Sequence, residues 1–165
     1  GIMYVAGIIW LLVPSLRRRS EFVSLLAAAV LVHALIHPLL ITSSLKFIFG
    51  RLRFHQLGPG GAGFTPFYLP RPQLGGRSFP SGHVASSVVL CPAILVAWRR
   101  GRRRLAAVLT LVTVSWGLAV AYGRILHGAH YLTDVIFSLG LAPLLAPYTV
   151  RVGAWYLSKF DPKEK

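Results

Sequence analysis

Long apolar segments alternate with short polar stretches along this chain. The apolar segments cover residues 2–13, 22–45, 84–98, 105–122 and about 131–157. A helix needs about 20 residues to cross the hydrocarbon core of a bilayer, so the second, fourth and fifth segments are long enough to span it. The third is long enough only if its helix begins near Pro80 or Ser81, and the first is too short as it stands. The pattern predicts an all-α, polytopic transmembrane helical bundle with five visible spans.

The first residue is Gly rather than Met, so we expect that an N-terminal piece has been removed. We interpret residues 2–13 as the remnant of a longer helix. A cleaved signal peptide is less favoured, because no small-residue cleavage pattern follows the apolar stretch. A chain of 165 residues is long enough for one domain and too short for two. Residues 1–165 are therefore assigned to a single transmembrane domain.

Composition agrees with a bilayer as the solvent. The chain is 55% hydrophobic and only 13% charged, and a soluble domain of this size would need more polar surface. The single cysteine, Cys91, excludes a disulfide within the chain and a cluster of thiolate metal ligands.

The net charge of +14 raises nucleic-acid binding as an alternative. Eight of the 18 basic residues, however, form two runs between apolar segments, Arg17–Arg19 and Arg99–Arg104. Short loops rich in Lys and Arg stay on the cytoplasmic side of a membrane. This bias explains both runs without nucleic acid, so no nucleic-acid partner is expected.

Membrane sidedness follows from the same two runs. If both face the cytoplasm, residues 46–82 form an extracytoplasmic loop, and the fourth and fifth helices meet on that side near Arg124. The stretch 58–76 is rich in Gly and Pro, which predicts an irregular loop that caps the outer face, with Phe64, Phe67 and Tyr68 at the interface. Six Lys and Arg residues lie on this extracytoplasmic side, against the preference of basic residues for cytoplasmic loops, which suggests that they are kept for function. They are Lys46, Arg51, Arg53, Arg71, Arg77 and Arg124.

Three polar stretches meet that outer face, at residues 46–53, 78–83 and 124–134. Lys46, Arg53 and Arg124 supply cations, and the planar donors of Arg suit phosphate oxygens. Ser81 and Gly82 lie at a predicted helix N-terminus, where free N–H groups favour an anion. Taken alone, the Pro-Ser-Gly sequence is better explained as an ordinary helix start with Ser81 as N-cap.

His130 and Asp134 are four residues apart, so on a helix they share a face and can form a hydrogen bond. A carboxylate on one ring nitrogen leaves the lone pair of the other free to attack. A structural pair is the alternative, but Asp134 is the one acid between Glu21 and Asp161, and ionisable residues at membrane depth are usually functional.

His83 is the candidate general acid, because a nucleophile and an acid need opposite protonation states. His127 competes for either role, since spacing alone does not exclude it. His33 and His37 lie one turn apart, but histidines without a nearby carboxylate or thiolate are weak evidence for a metal. We therefore expect no metal and no other cofactor.

The three stretches, in this order, resemble the membrane-bound type 2 phosphatidic acid phosphatase family, whose signature is KxxxxxxRP, then PSGH, then SRxxxxxHxxxD. Lys46 and Arg53 keep the first spacing, residues 80–83 match the second, and the third is kept by Arg124, His130 and Asp134. Phe54 replaces the proline and Gly123 replaces the serine. These motifs span residues 46–134.

The resemblance implies a role for each motif residue. His130 would form a phosphohistidine, Asp134 would orient it, and His83 would protonate the leaving group. The family spacing selects His130 over His127. The phosphate would be held, without any metal, by Lys46, Arg53, Ser81, Gly82 and Arg124. The family's usual core has six helices, so six spans are expected in the intact protein.

The sequence therefore predicts an integral-membrane enzyme of lipid metabolism in the cell envelope, placed in a bacterial inner or plasma membrane. It would hydrolyse a lipid phosphate monoester or diphosphate, such as an isoprenoid diphosphate, phosphatidylglycerol phosphate, phosphatidate or a lipid A phosphate. Two alternatives remain open: a non-enzymatic carrier of anions or lipid phosphates, and a phosphotransferase to an acceptor other than water. The natural lipid, the oligomeric state and the roles of Arg71 and Arg77 are not specified by the sequence.

Overall fold

The computed structural model describes residues 2–17 and 20–160, and these contain helices and no strand. The all-α prediction is confirmed. Arg18 and Arg19 of the first basic run lie outside the described residues. The α-helices are α1 (Ile2–Leu12), α2 (Pro14–Arg17), α3 (Glu21–Ala34), α4 (Thr42–Phe49), α5 (Gly82–Ser87), α6 (Cys91–Arg99), α7 (Arg103–Leu126) and α8 (Leu132–Phe160).

Within the described residues, four helical stretches are long and apolar enough to cross a membrane: Glu21–Gln56, Gly82–Arg99, Arg103–Leu126 and Leu132–Lys159. They correspond to four of the five predicted spans. The remaining one, α1, has 11 residues and is too short, as its apolar segment indicated. Many large apolar side chains on these stretches point outward, such as Leu111 and Leu144. This is the surface expected of a bundle whose solvent is lipid.

A π-helical segment, Leu35–Ile41, joins α3 to α4 and sets which residues face inward. Here Thr42 N–H donates to the carbonyl of His37, five residues earlier. The wider turn brings Thr42 onto the same side as His33 and His37, and all three are fully buried. Lys46, one α-helical turn further on, follows on that side. The segment therefore directs Lys46 toward the interior at the end of the span.

Small residues let α3 pack closely along α8. A side chain on Gly153 would begin 2.9 Å from the backbone nitrogen of Ala29, so no larger residue fits there. Ala29, Val96 and Val150 form a buried cluster between α3, α6 and α8. Close approach of small residues is a usual device of helix packing in membranes, where van der Waals contact replaces the hydrophobic drive.

The third span differs from a single straight helix. It begins at Gly82, close to the predicted Ser81, and a turn at residues 88–90 separates α5 from α6. α5 packs on α7 and α8 through a second buried cluster of Val84, Ala121 and Val135. Val84 and Val135 directly follow His83 and Asp134 in the chain, so this cluster fixes those two elements relative to each other.

Basic residues gather at the end of the bundle opposite Lys46. Arg100 donates to the Glu21 carboxylate at 2.9 Å, and the guanidinium of Arg103 lies 3.6 Å from the centre of the Trp98 ring. The ammonium of Lys159 lies over Trp155. Cation–aromatic contacts of this kind suit an interface where one part of the side chain is apolar and the other is wet.

Candidate active site

The three predicted polar stretches meet at one end of the bundle. His83 lies close enough to four other site residues for their charges to act on it. They are Arg124, His130, Lys46 and Arg53. Lys46 in turn lies within range of Asp134, as well as of Arg53 and Arg124. The structure therefore brings together all six residues that the sequence singled out by charge and spacing.

A loop at residues 50–81 is bound to the end of α4 by backbone hydrogen bonds. Gly76 N–H donates to Gly50 O and Ser78 N–H donates to Arg51 O, both at 2.9 Å. Gly50 has a φ of +53°, and a side chain on Gly76 would overlap the carbonyl of Arg51. Both glycines are needed for this approach, which places Arg51 and Ser78 side by side beneath the loop.

Asp134 is the most enclosed charged group at the site, with no exposed surface. Its Oδ1 accepts from Arg51 Nη1 at 2.5 Å. Its Oδ2 accepts from Ser78 Oγ at 2.5 Å and from the backbone N–H of Tyr131 at 2.9 Å. Since α8 begins at Leu132, Asp134 also sits in the first turn, where the helix dipole favours a negative charge. The carboxylate is therefore held in one orientation.

His130 lies in the loop before α8, not on the helix. The prediction that His130 and Asp134 share a helical face is therefore wrong in its geometry. The two still meet, because the Asp134 side chain turns back over the helix start to reach Tyr131 N–H, as an acid at this position commonly does. His130 Nδ1 lies 3.5 Å from Asp134 Oδ2, and His130 is 3% exposed. This orientation leaves Nε2 as the nitrogen turned away from the carboxylate.

The second motif adds polar atoms beside this pair. Ser81 is the N-cap residue of α5, and its backbone N–H donates to Asp134 O at 3.2 Å. Its hydroxyl is buried, makes no capping hydrogen bond, and has no partner among the described residues. Arg124 Nε is also buried without a partner within the described part of the chain. Buried polar atoms are normally paired, so these two are candidates for contact with a polar ligand.

Lys46 and Gly82 lie against each other across the first two motifs. A Cβ on Gly82 would lie 3.7 Å from Lys46 Cε, so the two residues are in van der Waals range of each other. Lys46 Nζ donates to the carbonyl of Arg77 at 2.8 Å. The side chain of Arg77 lies over the Phe47 ring at 4.7 Å. Arg77 is thus adjacent to the cations and contacts Lys46 through its backbone.

Exposure divides the site into two sides. Asp134, Arg51, Ser78 and His130 are buried. His83 is exposed, and the cations Lys46, Arg53 and Arg124 are half-buried. A phosphate that approached from outside would therefore meet His83 and the cations first, with His130 at the base.

The two departures from the family signature have simple local consequences. In place of the proline, Phe54 begins a short 3₁₀ turn, Phe54–Gln56, and Arg53 N–H donates to the side chain of Gln56 at 3.0 Å. Arg53 is thus held by a side-chain contact rather than by a rigid ring. At Gly123, a side chain would meet nothing within 4 Å.

Aromatic rings cover the buried side of the site. The guanidinium of Arg51 lies 3.9 Å from the centre of the Tyr131 ring and 5.6 Å from that of Phe64. Phe64 and Tyr131 also contact each other edge to face. Burial raises the pKa of the Tyr131 phenol, and this effect outweighs the opposing effect of the Arg51 charge. The phenol therefore stays neutral, and its ring shields the Arg51–Asp134 ion pair from water.

Other candidate residues lie apart from this cluster or at its edge. His33 and His37 are fully buried in the bundle, with ring centres 5.2 Å apart. His127 is exposed at the end of α7. Arg71 contacts Phe49 through its backbone. Among the described residues no group of three or more His, Cys, Asp or Glu could hold a metal ion.

Arg51 and Ser78 are the contributors that spacing did not identify. The sequence marks Arg51 only as one of six outer positive charges, and Ser78 only as the start of its stretch. The charge balance is the signal that could have identified such a residue, because Asp134 is the one acid in the sequence between Glu21 and Asp161 and a buried carboxylate needs a counter-ion. Nothing in the sequence distinguishes Arg51 from Arg53 for that purpose, because the choice depends on how the loop folds back.

Comparison with known proteins finds one family. The model of the PAP2 superfamily matches residues 22–157, which include every motif residue above. No curated protein and no solved structure matches the chain. The match covers most of the chain, and the all-helical bundle agrees with it. The chain belongs to the PAP2 superfamily, a family of phosphatases.

Proposed function

We propose that this protein hydrolyses a lipid phosphate monoester or diphosphate through a phosphohistidine on His130, without a metal, at the extracytoplasmic face. The observation that carries this proposal is the buried His130–Asp134 pair at the base of a group of cations. A site that only bound anions would gain from Lys46, Arg53 and Arg124. It would gain nothing from a carboxylate fixed behind a histidine.

The first chemical step follows from which nitrogen faces the carboxylate. With Asp134 beside Nδ1, the proton resides there and the Nε2 lone pair is free. Nε2 forms a bond to phosphorus while the bond from phosphorus to the leaving oxygen breaks. The developing charge on Nδ1–H draws the 3.5 Å separation from Asp134 to hydrogen-bond length, as catalytic contacts often tighten in the transition state.

His83 completes the proton balance. In its protonated form it donates to the leaving oxygen as the first bond breaks. A water molecule then attacks phosphorus, its proton passes to His83, and the bond from phosphorus to His130 breaks. Phosphate and a lipid alcohol, or phosphate and a lipid monophosphate, are released. His83 is suited to this exchange because it is the exposed histidine of the pair.

The cations hold the phosphoryl oxygens during both steps. Arg53 and Arg124 present planar sets of donors, and Lys46 adds a point charge beside Gly82. Ser81 Oγ and Arg124 Nε, which have no partner among the described residues, would donate to the same group. These fixed charges take the part that a metal ion plays in other phosphatases.

An apolar groove supports a lipid as the substrate. It has a volume of about 650 Å³ between α6, α7 and α8. Its lining includes Val88, Trp98, Val114, Leu118 and Leu139. Leu139 is five residues from Asp134 and Leu118 is six from Arg124, so the groove begins roughly 8 Å below the site at about 1.5 Å per helical residue. We propose that the tail of the substrate occupies it while the headgroup reaches the cations.

The lipid assignment can be tested with a matched pair of substitutions on α7. Val114 lines the groove and Val112 does not, and they are 50% and 52% exposed. We expect Val114→Trp to raise KM for a long-chain lipid phosphate roughly tenfold, while leaving hydrolysis of p-nitrophenyl phosphate unchanged. Val112→Trp is the control and should change neither. An equal effect of both substitutions would rule out the groove as the tail site.

Phosphate release by the purified protein tests the activity itself. A panel of phosphorylated lipids in detergent should yield inorganic phosphate with the unmodified protein and none with His130→Ala. Tight binding of phosphate with no turnover on any member of the panel would instead support the non-enzymatic carrier. Transfer of the phosphoryl group to an added alcohol, measured against release to water, tests the phosphotransferase alternative.

A further inference from the structure

Arg51 is a cation at the site that occupies a variable position of the first family motif, between Lys46 and Arg53. It is 4% exposed, whereas Arg53, two residues later, is half-buried at the open side. The backbone between them leaves α4 and enters the loop, so the two side chains diverge. Their different surroundings give them different partners.

The hydrogen bonds of the Arg51 side chain go to Asp134 and to Thr133, the residue before it. One terminal nitrogen, Nη1, donates to Asp134 Oδ1 at 2.5 Å and to Thr133 Oγ1 at 2.9 Å. The guanidinium lies over the Tyr131 ring at 3.9 Å from its centre. The carbonyl of Arg51 accepts from Ser78 N–H at 2.9 Å, and the Ser78 hydroxyl donates to the other Asp134 oxygen. Arg51 thus fixes one carboxylate oxygen directly and helps to place the group that fixes the other.

We propose that Arg51 is a positioning residue that acts through Asp134 on His130 and does not bind the phosphate. Asp134 is fully buried, and a buried carboxylate stays charged and oriented only with a counter-ion and full hydrogen bonding. His130 contributes at most a 3.5 Å contact before the reaction. Arg51 is the group whose full positive charge meets Asp134 in the buried side of the site.

The cations at this end of the bundle therefore have two different roles, phosphate binding and positioning of Asp134. Arg53, Arg124 and Lys46 are partly exposed and free to meet a phosphoryl group from outside. Arg51 lies behind Asp134, under Phe64 and Tyr131, where a bound phosphate would have to displace the carboxylate to reach it. A ligand role and a positioning role therefore predict different kinetic effects for two arginines that are two residues apart.

The inference rests on the proposed function, and a kinetic comparison tests it. We expect Arg51→Gln to lower kcat roughly a hundredfold, since a misplaced catalytic group commonly costs that much, with KM changed less than about twofold. Arg53→Gln should instead raise KM. Arg51→Lys keeps the charge and should recover part of the lost kcat. A rise of KM in Arg51→Gln that matches Arg53→Gln would overturn the proposal.

A double-mutant cycle separates positioning from general damage to the fold. If Arg51 acts through Asp134, adding Arg51→Gln to Asp134→Asn should cause no further loss of kcat, because the interaction has already gone. The double variant should also unfold at a higher temperature than either single variant, because it leaves no unpaired buried charge. Multiplicative losses of kcat in the two variants would contradict the coupling.

Binding of inorganic phosphate keeps this test apart from that of the proposed function. Measured by calorimetry in detergent, the affinity for phosphate should fall in Arg53→Gln and remain within about twofold of the unmodified protein in Arg51→Gln. If the unmodified protein releases no phosphate from any lipid, the proposed function fails, while the unfolding temperatures still test the Arg51–Asp134 pair. Equal loss of phosphate affinity in both variants would overturn the positioning role.

Discussion

This bundle contains two pairs of histidines that differ in the charged and polar groups beside them. His83 and His130 lie at the end where three motifs meet, within range of Lys46, Arg53 and Arg124. His33 and His37 lie in the interior between α3 and α8, where His33 Nδ1 lies 3.4 Å from the Thr149 hydroxyl. The outer pair has a carboxylate and cations beside it, and the inner pair has hydroxyls and apolar side chains.

The difference teaches that surroundings, not residue identity, decide what a buried histidine does. In the proposed mechanism, Asp134 fixes the tautomer of His130 and stabilises the imidazolium that forms when His130 attacks phosphorus. In the inner pair, His33 Nε2 and both ring nitrogens of His37 have no hydrogen-bond partner among the described residues. No carboxylate lies beside them in the part of the chain that the structure describes, and the proposed mechanism gives them no role.

The largest expected effect is that of His130→Ala. Removal of the nucleophile should lower kcat for a lipid phosphate by roughly 10⁵-fold. The measurement is inorganic phosphate release in detergent, with the unfolding temperature as a control for the fold. Near-normal turnover in this variant would show that His130 is not the nucleophile and that the outer and inner pairs do not differ in the proposed way.

Asp134→Asn should have the next largest effect. The amide cannot hold His130 in the reactive tautomer, so kcat should fall by roughly 10⁴-fold. It also leaves Arg51 buried without its counter-ion, which costs about 3–5 kcal/mol of unfolding free energy. Kinetics and thermal unfolding of the same preparation measure both effects. A fully stable variant with unchanged kcat would show that the carboxylate is not the partner of His130.

His83→Ala sharpens the comparison between the two members of the outer pair. Loss of the general acid should lower kcat by roughly 10³-fold for a lipid alcohol, which is a poor leaving group. A p-nitrophenolate leaving group needs no proton, so the loss on p-nitrophenyl phosphate should be much smaller. The ratio of the two losses is the measurement. Equal losses on both substrates would assign His83 to phosphate binding instead.

His37→Leu, in the inner pair, should have little effect on stability and none on activity. Leucine has a similar volume and removes two ring nitrogens that have no partner among the described residues. We expect the free energy of unfolding to change by less than about 1 kcal/mol, with kcat and KM unchanged. Chemical denaturation and phosphate release are the two measurements. A large loss of kcat with an intact fold would show that His37 contributes to the reaction.

The smallest expected effect is that of metal removal. Because fixed cations hold the phosphoryl group in the proposed mechanism, dialysis against EDTA should leave kcat and KM within error of the untreated protein. Full loss of activity, restored by adding back a divalent cation, would contradict the mechanism. A His37→Leu protein assayed in parallel would show whether the inner pair supplies that site.

Much of the fold was predictable because it depends on local sequence. Segment length and apolar content predicted the spans at 22–45, 105–122 and 131–157, since a bilayer requires about 20 apolar residues in a helix. The break at residues 88–90 and the π-helical turn at Leu35–Ile41 were not predictable. Both depend on how neighbouring helices pack, and apolar content does not report packing.

The candidate site divides in the same way. Motif spacing predicted one group of six residues, and the structure places them together. The six are Lys46, Arg53, His83, Arg124, His130 and Asp134. The sequence did not predict that His130 lies outside α8, because spacing alone does not fix where a helix begins. Nor did it predict that Ser78 donates to Asp134, a contact that links residues 56 positions apart in the chain.

The sequence by itself determined the class of protein, the group of residues proposed to carry the chemistry and the order of the spans. These follow from residue types and short spacings, which physical chemistry restricts strongly in a membrane. Only the tertiary structure decided which arginine pairs with Asp134. Arg51 and Arg53 carry the same charge at nearly the same position, and the fold of the loop over α4 buries the first and leaves the second half-exposed.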